Sequence, residues 1–360
     1  MYYSTLCFYI TIYILCILIN LLLKSNKKLS VFYLSLLLAI AFGLRDYVGN
    51  DYEQYVNIYN HINIFNDYDK IELGYFYLNK LSYYIFGEQG YYFLFFICSF
   101  LTYYFIFSIA YENNILTTSI SLVFFSGFVF FSNNAIRQAL VISIFIYNLK
   151  NLEKNHYKYL IITILSSTLI HFSALLFLVL FLFPKKKKIP TIFLCILIPF
   201  IFTMYQLDIV NLIIKKIIIY IPKYGELYYN RVIEFESKEK GSGLVIIFYY
   251  ILLIYLIFNR SKIKTQYSNI FIIGYILFLL APQVEMWERI MIPFYYTNIL
   301  FIPLIIKNTK KKYSPNKMLG YVFIILLSFL FIYQTIENKN KNGISPFNHL
   351  FLKQIGIVLK

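Results

Sequence analysis

Apolar residues run along this chain in solid blocks. Residues 11–23, 31–42, 91–109 and 321–333 are almost free of charge, and each approaches the roughly 20 residues a helix needs to cross a hydrocarbon layer about 30 Å thick. Strands of a β-barrel would alternate apolar and polar positions, and these blocks do not. The pattern predicts an all-α, polytopic transmembrane helical bundle of roughly 10–12 membrane segments, with interfacial Tyr, Asn and Lys completing the shorter ones. It reads as a single integral membrane domain over residues 1–360, without an internal repeat. Residues 1–23 lack a basic start and a small-residue cleavage site, so they are expected to stay as the first helix.

Composition sharpens this. Residues of the AVILMFWYC set fill 60% of the 360 positions and charged residues 14%, and the mean hydropathy is +0.65. A soluble domain carries far more charge. The net charge of +16 raises the question of nucleic acid, and its distribution answers it. Lysines cluster between the apolar blocks: Lys24, Lys27 and Lys28; Lys150, Lys154 and Lys158; 185–188; Lys262 and Lys264; Lys307 and 310–312. Cytoplasmic loops facing anionic lipid are charged in this way, so the lipid bilayer is the expected partner and nucleic acid is not. Cys7, Cys16, Cys98 and Cys195 lie in apolar blocks without CxxC or Cys/His spacing. They read as small packing groups; no disulfide scaffold, metal site or cofactor is expected.

Placing the lysine clusters inside gives a path. The N-terminus lies outside, the second block leads out to Arg45 and Asp46, and residues 45–72 form an external loop. Residues 73–86 are expected as an interfacial or re-entrant helix, with a true span as the alternative, and further external segments at 221–243 and at the turn 282–289. Residues 159–183 lie between two basic clusters, and the charge rule favours a hairpin turning near 169–173 over a single span. Such a hairpin would leave His171 in the cytoplasmic half or near mid-membrane.

Five arginines stand among the 33 basic residues: Arg45, Arg137, Arg231, Arg260 and Arg289. On this path only Arg260 is cytoplasmic, although most lysines are. The positive-inside rule does not separate the two residue types, whereas a guanidinium offers a planar fork for phosphate or carboxylate. An outward cavity gripping a phosphorylated ligand accounts for the bias. The plain alternative is interfacial pairing, Arg45 with Asp46 and Arg289 with Glu285 and Glu288, or snorkelling.

Three polar segments carry candidate chemistry. In Leu44-Arg45-Asp46-Tyr47-Val48-Gly49-Asn50-Asp51-Tyr52-Glu53-Gln54-Tyr55, a cation stands with carboxylates suited to sugar hydroxyls and Tyr rings suited to sugar faces. In Ser132-Asn133-Asn134-Ala135-Ile136-Arg137-Gln138, helical spacing puts Asn134, Arg137 and Gln138 on one face, costly to turn to lipid. In Leu169-Ile170-His171-Phe172-Ser173-Ala174, His171 is the only histidine inside an apolar block, either a hydrogen-bonded packing residue or a general base. His61, His156 and His349 read as ordinary surface residues.

In order along the chain, these segments resemble the EpsG family of polysaccharide polymerases, related to Wzy-type polymerases. The resemblance rests on Arg45…Gly49-x-Asp51-x-x-x-Tyr55, Asn134-x-x-Arg137-Gln138 and His171-x-Ser173-Ala174. It continues with Arg289 followed by Tyr295 and Tyr296, and with Ser345-Pro346-Phe347, where the family often has Asn-Pro-Tyr. It implies a GT-C-like, metal-independent glycosyltransferase of the bacterial cytoplasmic (inner) membrane. Such an enzyme joins undecaprenyl-pyrophosphate-linked oligosaccharide units, donor to acceptor, into capsule, exopolysaccharide or O-antigen. The resemblance implies His171 or Asp51 as the base and Arg137 and Arg289 at the pyrophosphate. Arg45, Asp46, Gly49, Tyr52, Tyr55, Asn134, Gln138, Ser173 and Glu285 would contribute to substrate binding, and chain-length regulator and flippase proteins would be partners. A flippase of lipid-linked oligosaccharide would use a similar cationic cavity, but a transporter commonly has two similar halves, which this sequence lacks. A membrane acyltransferase would want a stronger pairing of His with a carboxylate than the sequence offers.

Overall fold

The computed structural model describes residues 2–65, 71–182, 187–207, 209, 216, 244–279, 285–310, 314–337 and 343–354. Among the described residues it is 85% helical with no strands. The chain divides into two compact units, Met1–Val179 with Gly320–Lys360, and Leu180–Leu319.

The first unit opens with α1 (Tyr3–Leu22) and α2 (Lys27–Leu38), which widens into a π-helical turn at Ala39–Gly43. There follow α3 (Tyr52–Asn60), α4 (Leu73–Phe86), α5 (Tyr91–Glu112), α6 (Leu116–Phe125) and α7 (Phe128–Asn134). Next come α8 (Ile136–Lys154), α9 (His156–Leu169) and a 3-10 segment, Phe172–Leu182. In the second unit lie α10 (Thr191–Gln206), α11 (Leu244–Asn259), α12 (Thr265–Leu279), α13 (Glu285–Tyr296) and α14 (Asn298–Asn308). Helix α15 (Pro315–Glu337) leads into the C-terminal part of the first unit, which ends with α16 (Leu350–Gln354).

Among the described residues, three stretches are long and apolar enough to cross a membrane: α1, Leu73–Glu112 and α15; the bent pair α6 and α7 makes a fourth when taken as one span. Shorter apolar helices cover Lys28–Gly43, Thr191–Met204 and Tyr267–Leu279. This is the composition of a membrane protein, with fewer stretches of full crossing length than the segments expected from the sequence.

Leu73–Glu112 is not one straight rod. Tyr75 of α4 shares a buried cluster with Leu94, Phe95 and Cys98 of α5; in a straight helix Tyr75 and Cys98 would be about 35 Å apart. The chain reverses at Gly87–Gly90, where Gly87 has φ 60° and a Cβ on Gly90 would stand 2.4 Å from the Ser82 carbonyl. The helix expected at 73–86 therefore exists and folds back along α5.

The expected external loop at 45–72 is largely structured. Tyr52, Tyr55 and Tyr59 fall on one face of α3 and are buried, packing with Phe95 and Tyr75. The helical spacing of those rings, not the polarity of the segment, decides its structure.

Between α6 and α7 the axis bends by 59°, at Gly127 in the left-handed conformation, φ 78°. The hairpin expected in 159–183 is present. Asn148 Nδ2 of α8 donates to the Tyr159 carbonyl (3.1 Å). The Tyr159 hydroxyl donates to the Phe177 carbonyl at 2.9 Å; along one continuous helix these residues would lie about 27 Å apart. The chain turns at Ile170 and His171. The hairpin is expected to leave His171 in the cytoplasmic half or near mid-membrane, away from Arg137; instead α9 runs antiparallel to α8 and returns His171 to the Arg137 end of that helix. Lys150 and Lys154 close α8 about 20 Å away along its axis.

The C-terminal tail docks on the first motif. Phe347 is fully buried, stacks on Phe8 with centroids 4.6 Å apart, and donates its N–H to the Thr5 hydroxyl at 3.0 Å. Asp46 N–H donates to the Asn348 carbonyl and Leu350 N–H to the Leu44 carbonyl, both at 3.0 Å. His349, expected on the surface, is buried and donates Nε2–H to the Ile40 carbonyl at 2.9 Å. The sequence gives no local sign of this, because the partners lie some three hundred residues away.

In the second unit Arg260 fastens the start of α10, donating to the Ile189 carbonyl (2.5 Å) and the Thr191 hydroxyl (2.6 Å). Residues 221–243, including Arg231, and 282–284 lie outside the described residues.

Candidate functional site

Arg45 and Arg137 stand in opposite electrostatic settings. Arg45 has no exposed surface. Its Nε donates to the Val48 carbonyl (3.0 Å), Nη1 to the Phe42 carbonyl (3.0 Å) and Nη2 to the Asn133 carbonyl (2.8 Å), and its carbon lies 4.9 Å from the Phe95 ring centroid. Phe42 is in the turn that ends α2, and Asn133 is in the last turn of α7. Helix C-termini leave carbonyls unpaired and favour a cation. Arg45 serves both ends at once.

The residues beside Arg45 are likewise turned to the chain itself. Gly49 has φ 100°, and a Cβ there would stand 2.6 Å from the Asn133 carbonyl; this is the close backbone approach its lack of a side chain permits. Asn134 Oδ1 accepts the Asn50 N–H at 2.6 Å. An Asp46 carboxyl oxygen accepts from the Tyr92 hydroxyl (2.8 Å) and the Tyr52 hydroxyl (3.4 Å). Tyr52, Tyr55 and Gln138 are buried. The expected open mouth at Arg45, with Tyr52 and Tyr55 presenting ring faces to sugar, is corrected to a packed support.

Arg137 is the second residue of α8, whose N-terminus carries no side-chain cap. The helix dipole disfavours a cation there and favours an anion. Glu72, at the N-terminal boundary of α4, offsets the cost: Arg137 Nη1 lies 2.5 Å from Glu72 Oε2. The other carboxylate oxygen, Oε1, is 3.1 Å from His171 Nδ1 and accepts the Phe172 N–H at 2.9 Å. The guanidinium carbon of Arg137 stands 5.1 Å from the Tyr75 ring centroid, its Nε is buried without a hydrogen-bond partner, and Tyr55 interacts electrostatically with both Arg137 and Asp51. Side-chain exposure is 17% for Arg137, 14% for Glu72 and 31% for His171, so the group is half-sheltered and reachable. Ser173 Oγ, next to it in sequence, is buried without a partner.

The helices meet closely to make this possible. A Cβ on Gly74 would stand 2.6 Å from the Leu169 carbonyl, so α4 touches the end of α9 backbone to backbone, two residues from Glu72 and two from His171. Burial by itself would raise the Glu72 carboxyl, but the His171 N–H, the Arg137 charge and the Phe172 N–H outweigh it and hold the carboxyl down at about 2.

Of the residues singled out from sequence, Arg137, His171, Tyr55 and Asp51 thus share one neighbourhood. Glu72, which ties it together, carried no local signal: it lies 65 residues from Arg137 and 99 from His171. Its one visible sign was being a carboxylate at the edge of an apolar block. Arg289 and Glu285 stand on α13 in the second unit, and their side chains lie outside the described ones. Chemically, an uncapped helix N-terminus with a guanidinium can take an anion, and an imidazole on a carboxylate can move a proton.

No curated protein and no solved structure matches the chain. The sequence profile of the EpsG family does, over residues 28–349. That stretch takes in the Arg45 turn, Glu72, Arg137, His171, Arg289 and the docked tail. The chain therefore belongs to the EpsG family, whose membership points to a polysaccharide polymerase.

Proposed function

We propose that the protein is a membrane glycosyltransferase that joins oligosaccharide units carried on undecaprenyl pyrophosphate into a surface polysaccharide, at the outer face of a bacterial cytoplasmic membrane. The observation that carries the reading is the single carboxylate, Glu72, holding both Arg137 and His171 at the N-terminus of α8. The lysine-rich far end of α8 supports the outward placing of this group by the positive-inside rule.

In the reaction, the acceptor sugar hydroxyl gives its proton to His171, and its oxygen attacks the anomeric carbon of the donor. The bond from that carbon to the phosphate oxygen breaks, and its electron pair leaves with the lipid diphosphate. Arg137 and the N-terminal amides of α8 stabilise the negative charge that develops there. His171 is preferred to Asp51 as base because it is the group held on Glu72. Asp51 and Ser173 are the candidates for the polar surround, and Arg289 for a second cation, while Asp46 and Gln138 belong to the packed support. The pairing of His171 with Glu72 removes one objection to an acyltransferase, but family membership outweighs it.

Cells lacking the gene separate polymerase from flippase. Loss of a polymerase leaves single repeat units on the outer surface, and loss of a flippase traps them inside. Purified protein given purified lipid-linked repeat units should lengthen them; failure with active, folded protein would sink the polymerase reading.

A further inference from the structure

The Glu72 cluster contains more than a base and a cation. Held as a carboxylate, Glu72 has only acceptor sites. The ring nitrogen facing it, Nδ1 at 3.1 Å, therefore carries the hydrogen. In a neutral imidazole this leaves Nε2 with the lone pair, and among the described residues Nε2 has no hydrogen-bond partner while the side chain is 31% exposed. Both oxygens of Glu72 are engaged, Oε1 by His171 and the Phe172 N–H and Oε2 by Arg137. The carboxylate cannot turn without breaking all three contacts. The backbone contact of Gly74 with Leu169 fixes the spacing from behind.

We infer that Glu72 is a positioning residue that sets the tautomer of His171, holding Nδ1–H so that Nε2 stays open as the proton acceptor, while the same carboxylate aims Arg137. The structural part is a property of the chain; its catalytic consequence rests on the polymerase reading. The charges agree with it. Arg137, Glu72 and neutral His171 sum to zero before reaction, and the proton taken from the acceptor makes the cluster a cation as the diphosphate gains charge. A fixed carboxylate stabilises that imidazolium without itself taking the proton.

The tautomer is read directly in full-length protein carrying ¹⁵N-labelled histidine, in lipid nanodiscs at mildly alkaline pH. The chain has four histidines, and the signal lost in His171→Gln is that of His171. Wild-type protein should show the Nδ1–H form, and Glu72→Gln should move the signal towards Nε2–H. A wild-type Nε2–H form, or a tautomer unmoved in Glu72→Gln, overturns the inference. With purified lipid-linked repeat units, Glu72→Gln should lower kcat by ~10³–10⁴-fold, as when the orienting carboxylate of a triad is replaced by an amide, with KM nearly unchanged. Glu72→Asp should recover part of kcat. An unchanged kcat, or a loss confined to KM, overturns the catalytic role. If Glu72→Gln does not accumulate, the wild-type tautomer decides alone. If wild-type protein shows the Nδ1–H form and lengthens no substrate, the polymerase reading falls and the positioning of His171 stands.

Discussion

Arg45 and Asn133, 88 residues apart, are joined by a 2.8 Å hydrogen bond from the guanidinium Nη2 to the main-chain carbonyl. The same guanidinium holds the carbonyls of Phe42 and Val48, so its removal leaves three buried acceptors without a donor. Buried unsatisfied groups cost about 1–3 kcal/mol each. Arg45→Ala, and Arg45→Lys with its single nitrogen, should lower yield and melting temperature steeply, while the protein that still folds keeps a normal KM. A normal yield with a raised KM would return Arg45 to the ligand.

Arg137 should behave in the opposite way. It occupies a helix end whose dipole opposes a cation, so the fold gains little from it beyond the pair with Glu72. Arg137→Ala should reduce chain elongation by ~10²–10³-fold, the usual effect of losing one donor to a developing anion, at near-normal protein level. Arg289→Ala, assayed beside it, asks whether a second cation acts on the same phosphate. Polymer of normal length in both would rule out the phosphate role.

The small residue behind the cluster gives a subtler test. A methyl on Gly74 would meet the Leu169 carbonyl at 2.6 Å, and that group is backbone, which yields little. Gly74→Ala must push α4 away from the end of α9 and draw Glu72 off His171. Misplacement by about 1 Å can cost ~10²-fold in rate, so activity in purified protein should fall well before the melting temperature does. Equal loss of both would mean that Gly74 serves packing alone.

These contrasts show which parts of the molecule sequence reasoning reaches. The apolar blocks and the turn near His171 were legible, because they depend on continuous apolar runs and on charge along neighbouring loops. The single helical face expected for Asn134, Arg137 and Gln138 does not form, because the helix breaks at Ala135 between α7 and α8. Tyr52, Tyr55 and Tyr59 carried a helical period too, but the polar residues between them made the segment look like a loop. Glu72 and the docking of Phe347 were not legible, since both depend on partners brought close only by the fold. The roles of Arg45 and Arg137 were indistinguishable for a further reason. A guanidinium reads the same in sequence whether it sits at a helix C-terminus, where the fold wants it, or at an N-terminus, where function must hold it.

Acid provides the last prediction. The Glu72 carboxyl lies at about 2, below its ordinary value of 4.5, because contacts with His171, Arg137 and the Phe172 N–H outweigh the effect of burial. A carboxyl depressed in the folded state stabilises that state fully above its unfolded value and loses the contribution as pH falls through the folded one. The window is therefore from 4.5 down to about 2. Other carboxylates titrate in the same range, so the comparison must isolate this one. The difference in melting temperature between wild type and Glu72→Gln, measured in detergent from neutral pH to about pH 3, should be constant down to the ordinary carboxylate range and shrink below it. A difference that holds unchanged through the acid limb would mean that Glu72 is not an ionised partner of Arg137 and His171.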